Sequence, residues 1–217
     1  GFHIGHQKIF NEMIHDSKGK NTFVITFKNA ALEILNPKAF MGYIFPEGYK
    51  EIFIKKLNIK YFVLLDFNDI KDIEAIEFID ILKKKFKKIN IYVGEDFKFG
   101  KNNRGDVKLL KKYLENVKVI NDVLIDGEKV SSSKIRQLII KGEVEKASKM
   151  LSRPYFYISS SVKGDGIGKK IGFPTINMAR NNQVLPASGV YFTIYKLENN
   201  IFPSMTYIGN RTTFNGK

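Results

Sequence analysis

Two hydrophobic periods alternate along the first 150 or so residues. A β-rich run, Asn21 to Phe27 (NTFVITF), precedes Tyr49 to Leu57, where Ile52, Phe53 and Leu57 recur at helical spacing. Lys60 to Phe67 (KYFVLLDF) is continuously apolar at its centre, the pattern of a strand covered on both faces. From Asp72 to Phe86, the apolar residues Ile73, Ile76, Ile79, Leu82 and Phe86 line one face of a helix. Asn90 to Val93 reads as a short strand broken by Gly94, Asp106 to Leu114 as a helix, and Val117 to Ile125 as extended chain. Strands separated by helices of this length imply parallel crossovers. The fold class expected is α/β, a Rossmann-like domain with a doubly wound parallel sheet.

The pattern changes near Arg153-Pro154. Tyr155 to Val162, Gly189 to Leu197 and Ser204 to Gly209 are strand-like pieces separated by Gly, Pro and Asn turns, with no convincing helix. An α/β domain over residues 1–152, followed by a partial all-β, barrel-type domain over residues 153–217, is therefore expected. So short a second part hardly closes an independent barrel. At the other end, a helix beginning near His6 should follow a strand. Both ends read as those of a fragment.

Composition narrows the classes. With 43% hydrophobic and 13% aromatic residues the chain can fill a core, which excludes overall disorder. The absence of Cys excludes disulfides, thiolate metal sites and a cysteine nucleophile. No apolar run approaches the roughly 20 residues that cross a bilayer, and GFHIGHQKIF lacks the pattern of a signal peptide. A soluble cytoplasmic protein is the default expectation, with no membrane partner. The formal charge is +14, from 36 Lys plus Arg against 22 Asp plus Glu. Only five of the cations are Arg (Arg104, Arg136, Arg153, Arg180, Arg211), whereas nucleic-acid binding leads one to expect Arg interleaved with aromatics. The charge suits any polyanionic ligand, nucleotides included, and a Lys-rich nucleic-acid-binding module remains an alternative.

Two constellations carry chemistry. The first is Gly1-Phe2-His3-Ile4-Gly5-His6, leading into a helix with apolar Ile9, Phe10, Met13 and Ile14. A helix start offers unpaired N–H groups and the positive end of the dipole, both attractive to phosphate. Gly5 permits close backbone approach, and His3 and His6 are potential donors to phosphate oxygens. Two solvated histidines, or half a metal site, are the alternatives. The second is Val130-Ser131-Ser132-Ser133-Lys134-Ile135-Arg136, opening a helix with apolar Ile135, Leu138 and Ile139 and a Gly142 stop. The three hydroxyls read more commonly as a plain N-cap. Lys134 and Arg136, however, put positive charge where the helix dipole favours acids, a cationic pocket that suits an anion.

Together these motifs resemble the H-x-G-H and I-S-S-T-x-x-R signatures of the nucleotidyltransferase superfamily. Val93-Gly94-Glu95-Asp96-Phe97-Lys98-Phe99-Gly100-Lys101, with Arg104-Gly105-Asp106, is similar to the V-G-x-D-F-x-F-G-K segment of bacterial FAD synthetase. Gly164-Asp165-Gly166-Ile167-Gly168 and Ile171-Gly172-Phe173-Pro174-Thr175-Ile176-Asn177 resemble the flavokinase signature G-x-G-x-G…G-F-P-T-A-N, which Gly189-Val190-Tyr191 and Ile208-Gly209-Asn210-Arg211 continue. In this order they are those of the bifunctional riboflavin kinase/FAD synthetase family. The resemblance implies ATP-dependent phosphorylation of riboflavin to FMN and adenylylation of FMN to FAD, with Mg²⁺. An alternative is a single-activity nucleotidyltransferase acting on another phosphate-bearing acceptor.

By the same resemblance, His3, His6, Ser133 and Arg136 are catalytic. Gly5, Asp96, Ser132, Gly164, Gly166, Thr175 and Asn177 bind ATP, Thr175 and Asn177 also hold the metal, and Phe99 stacks on the flavin. The partners implied are small molecules, flavins and ATP, and no nucleic acid. Departures from the pattern include Thr26-Phe27-Lys28-Asn29-Ala30 in place of T-F-x-P-H-P, Ile176 in place of a small residue, and Tyr207 and Thr212 where Asn and Pro are usual. The kinase general-base glutamate is expected beyond Lys217.

Overall fold

The computed structural model describes residues 2–46, 48–164, 168, 172 and 175–209. By packing, the chain separates into two compact units, one of Gly1–Met41 with Gly48–Ser131 and one of Gly42–Glu47 with Ser132–Lys217. The second unit therefore holds a short excursion from the first third of the chain, and both helices that precede the expected boundary at 152.

In the first unit, α1 (Ile4–Ser17) is followed by β1 (Phe23–Phe27), α2 (Ala31–Leu35), α3 (Tyr49–Lys55), β2 (Tyr61–Leu65), α4 (Phe67–Ile70), α5 (Ala75–Lys85) and β3 (Ile91–Gly94). Then come β4 (Lys98–Phe99), β5 (Gly105–Asp106), α6 (Val107–Tyr113), β6 (Val117–Ile120), β7 (Leu124–Ile125) and β8 (Glu128–Lys129). β1 pairs with β2 in parallel, from Phe23 opposite Tyr61 to Phe27 opposite Leu65. β3 pairs with β6 in parallel, from Ile91 opposite Val117 to Gly94 opposite Ile120. The α/β class with parallel crossovers is thus present. The single doubly wound sheet is not, because among the described residues no ladder joins the two pairs.

The core of this unit gathers Ala75 and Ile79 of α5, Val93 of β3, Phe99 of β4, and Leu110 and Leu114 around α6. Spacing explains α5: Ala75, Ile79 and Leu82 fall at i, i+4 and i+7 and are buried. The expected stripe is shifted, since Ile76 is exposed and Ile73 precedes the helix. In α3 it is Ile54, not Ile52, that is buried. β2 also departs from expectation. With β1 as its one ladder partner among the described residues, it leaves Tyr61 and Leu64 exposed rather than covered on both faces. The C-terminal half of α1 is tied to the β3–β6 pair by Lys118, whose Nζ lies 2.7 Å from Glu12 Oε2 and 2.8 Å from Asp16 Oδ2. Tyr92 Oη donates to Asp16 Oδ2 at 3.1 Å.

In the second unit, α7 (Ser132–Ile140) and α8 (Val144–Leu151) bury Ile135, Leu138 and Ile139 together with Ala147, Met150 and Leu151. Gly142, at φ 80°, closes α7: its N–H donates to Ile139 O at 2.8 Å and the Glu143 N–H to Leu138 O at 2.9 Å. Two antiparallel ladders follow, β9 (Ser161–Val162) with β10 (Asn177–Met178), and the nine-residue strands β11 (Gly189–Leu197) and β12 (Asn200–Ile208). One face of the longer hairpin carries bonded hydroxyls, Thr193 Oγ1 lying 2.8 Å from both Ser204 Oγ and Thr206 Oγ1. The other exposes Phe192 and Met205, each 81% accessible. Barrel closure is not seen among the described residues, because each ladder has two strands only.

Tyr155–Ser160, expected as strand, forms none. Its backbone is bonded by side chains: Ile158 N–H donates to Gln183 Oε1 at 3.0 Å, Gln183 Nε2 to Phe156 O at 3.1 Å and Asn181 Nδ2 to Ile158 O at 2.6 Å. Gln183, only 5% exposed, substitutes for a neighbouring strand.

Candidate functional site

The start of α1 is built by its own sequence. Phe2, with φ 51°, turns its ring into the core, 5.6 Å from Phe10 and 5.8 Å from Phe53. His3 is the N-cap, extended at φ −77° and ψ 170°, and its carbonyl accepts the Gln7 N–H at 3.1 Å. No side chain caps the first turn and no acid stands in it. The leading N–H groups and the positive dipole end are therefore left for an anion. The helix begins at Ile4, two residues earlier than expected, so His6 sits inside the first turn.

The imidazoles of His3 and His6 lie 3.9 Å apart, tilted by 47°. His3 is buried, and His6 Nδ1 is buried with no hydrogen-bond partner among the described residues. Burial first, and then the charge of the neighbouring His3, lowers the His6 pKa from 6.5 to about 2. Near neutral pH, His6 is thus an uncharged imidazole with one N–H to donate. Gly5 makes the pairing possible. A Cβ there would come within 3.1 Å of His3 Cε1 and Nδ1.

Asp96 stands just past the carboxyl end of β3 and is exposed. It accepts Lys129 Nζ at 2.8 Å, and the same ammonium lies 2.6 Å from Asp122 Oδ2. The bond from Lys129 holds the Asp96 carboxyl below its usual range, with a smaller contribution from His3. Sequence reasoning missed Lys129 and Asp122, which carry no local motif: Lys129 is brought to both carboxylates by the β7–β8 hairpin. Phe99 requires a correction as a flavin platform. Its ring belongs to the core cluster, stacks on Phe97 at 5.7 Å and 18°, and would lie 2.7 Å from a Cβ on Gly105, so neither face is open.

In the second unit, α7 begins at Ser132, which is half-buried, while Ser133 is exposed. Arg136, one turn on, donates its Nε–H to the Gly42 carbonyl at 2.7 Å. Desolvation lowers its pKa, and no carboxylate pairs with it among the described residues. The kinase-like motifs meet at the β9–β10 ladder, where Val162 faces Asn177. The Asn177 carboxamide lies directly against Gly164, whose missing Cβ it would overlap. Thr175 and Asn177 are exposed. Gly166 falls outside the described residues, as do Asn210 and Arg211. No group of three or more His, Asp or Glu is placed to hold a metal among the described residues.

Comparison with known proteins bears on both units. A family described as FAD synthetase matches residues 1–134. The chain belongs to the FAD synthetase family. A second family, riboflavin kinase, matches residues 151–217, which removes the support for a single-activity transferase on another acceptor. Curated relatives include a bifunctional riboflavin kinase/FMN adenylyltransferase of Buchnera aphidicola subsp. Schizaphis graminum, 32% identical over 88% of this chain and 64% of that one. The Bacillus subtilis protein of the same description is 29% identical over 99% of this chain and 70% of its own. The chain therefore spans roughly two thirds of the length of these relatives. A crystal structure described as a macrolide-efflux protein from Streptococcus pneumoniae superposes with a TM-score of 0.87 at 28% identity, over 99% of this chain and 73% of that one. Among the described residues, no helix is long and apolar enough to cross a membrane.

Proposed function

We propose that this member of the FAD synthetase family adenylylates FMN to FAD and phosphorylates riboflavin to FMN, with ATP as donor in both reactions. The first activity is assigned to residues 1–152 and the second to the barrel-type part from residue 153. The observation that carries the reading is the start of α1, which has no side-chain cap and where the buried His3 ring lies 3.9 Å from the half-buried His6 ring, in a chain whose motifs follow the family's order.

Adenylyl transfer needs no protein nucleophile. A terminal phosphate oxygen of FMN forms the new bond to the α-phosphorus of ATP, the α–β anhydride bond breaks, and pyrophosphate leaves. What the protein supplies is position and charge stabilisation. The N–H groups of the first turn of α1, with His3 and His6, take the α- and β-phosphates. Neutral His6 donates a hydrogen bond that strengthens as negative charge builds on the phosphoryl oxygens. Ser132, Ser133 and Arg136 receive the departing pyrophosphate. Asp96, held ionised by Lys129, serves the nucleoside side.

In the kinase reaction a riboflavin hydroxyl oxygen forms its bond to the γ-phosphorus as the β–γ anhydride bond breaks, ADP leaves and the hydroxyl proton is released. The Thr175 hydroxyl and the Asn177 carboxamide are hard, neutral oxygen donors on exposed chain, a set that fits Mg²⁺ arriving with nucleotide phosphates rather than in an all-protein cage. Mg²⁺ bound there would neutralise phosphate charge. Gly164, with no side chain, lets the Asn177 carboxamide lie against its backbone, beside which the turn offers N–H groups to phosphate.

The full-length protein given ATP, Mg²⁺ and FMN should release pyrophosphate in step with FAD formation, and given riboflavin it should form FMN. Pyrophosphate release independent of FMN, or an absence of FAD, contradicts the assignment.

A further inference from the structure

The segment Gly42–Phe45 lies among residues remote from it in sequence. The chain leaves the first unit after Met41, contributes Gly42–Glu47 to the second, and returns at Gly48. Tyr43 forms a parallel bridge with Gln183: its N–H donates to Asn182 O at 2.7 Å, and the Val184 N–H donates to Tyr43 O at 2.9 Å. Ile44 and Phe45 are buried, at 2% and 6% exposure. The Phe45 ring lies 5.5 Å from that of Phe156, and the Arg153 guanidinium sits 4.4 Å above it. Gly42 has φ 103°, and a Cβ there would stand 3.0 Å from Asn182 O and Val184 N. Neither its backbone conformation nor its surroundings accept a side chain. This strap meets α7 through the bond from Arg136 Nε–H to the Gly42 carbonyl.

A half-buried guanidinium with no carboxylate partner among the described residues has its plane fixed by whatever its Nε–H meets. Here that is Gly42, 94 residues earlier in the chain. With Nε engaged, the two Nη groups present a fixed fork suited to two phosphate oxygens. We propose that Gly42 is a positioning residue for adenylyl transfer: its carbonyl sets the plane of the Arg136 guanidinium, and the strap makes that setting depend on its seat along Asn182–Val184. The proposal rests on the reading of Arg136 as a phosphate ligand. Gly42 touches no substrate. It acts through Arg136, so its loss weakens ATP capture without altering the reacting groups.

The test is steady-state FAD synthesis by the full-length protein at varied ATP, in a cycle of Gly42→Ala, Arg136→Lys and the pair. Lysine keeps the charge but lacks the Nε–H and the fork. Gly42→Ala should raise KM for ATP roughly tenfold, the worth of one hydrogen bond to a charged group, with kcat within about twofold. In the Arg136→Lys background the same change should have almost no further effect on KM. Phe45→Leu, which loosens the seat of the strap without touching Gly42, should raise KM in the same direction by less, and it carries the test if Gly42→Ala fails to fold. Additive effects of Gly42→Ala and Arg136→Lys, or an unchanged KM in both strap variants, overturn the proposal. An unchanged KM in Arg136→Lys alone overturns the phosphate role of Arg136 itself, a separate failure that the cycle identifies.

Discussion

The start of α1 and the β9–β10 corner carry the same assignment, a grip on ATP phosphates, on opposite physical terms. At α1 the donors are a buried His3 ring, a half-buried His6 ring and the N–H groups of a fourteen-residue helix packed on β3. At the corner, exposed Thr175 and Asn177 hang on a ladder of two residue pairs. Preorganised donors in a water-poor setting act strongly on developing charge, whereas solvated donors on a short ladder spend part of their interaction on becoming ordered. The difference says where transition-state stabilisation should be concentrated: in the helix start, one residue at a time.

The sharpest way to break this contrast is to remove a donor from each side. His6→Ala should lower the rate of FAD formation by ~10²–10³-fold, the usual cost of one preorganised donor. Undiminished turnover would remove His6 from the site. Thr175→Ala should lower riboflavin phosphorylation by about 10- to 100-fold, as expected for one contact to a charged group, and leave FAD synthesis from FMN unchanged. Loss of both activities would mean the two corners are not independent.

Acidity separates them as well. The folded-state pKa of His6, about 2, lies below its unfolded value of 6.5. Between these values the unfolded chain binds the proton and the folded one does not, so stability falls as the pH drops below 6.5. Urea unfolding at pH 6.5 and pH 5 should differ by about 2 kcal/mol from this group alone, a difference that His6→Gln should remove. An identical acid loss in the variant would assign the effect to other groups. Smaller still, Gly5→Ala should slow FAD formation by about tenfold, because its Cβ pushes on the His3 ring and a slight misplacement of a donor weakens catalysis. Full activity would show that the ring pair tolerates movement.

What the sequence disclosed follows from how local each determinant is. The helix start beside H-x-G-H, the presence of α5 though not its full stripe, and the Gly142 stop depend on neighbours within a turn or two and can be read from spacing. Phe99 reads as a flavin platform by resemblance to the family motif alone. Its burial depends on α5 and α6, which periodicity cannot aim at it. Tyr155–Ser160 has strand composition, yet the Asn181 and Gln183 side chains take the bonds a second strand would have made. The amphipathic run Val144–Leu151 is as local a pattern as α5, with Ala147, Met150 and Leu151 on its buried face. The strap at Gly42–Phe45 left no trace, because an apolar Ile44-Phe45 pair between a glycine and a proline reads as ordinary loop until its distant seat is known.

The most direct test of the central claim is the imidazole NMR signal of His6 in the full-length protein, titrated with ATP and Mg²⁺. The account predicts that the His6 signal moves in proportion to ATP occupancy and that its protonation midpoint climbs well above 2 once phosphate lies against it, while the signal of the exposed His15 at the far end of α1 stays in place. A His6 signal that holds still while ATP saturates its site would contradict it.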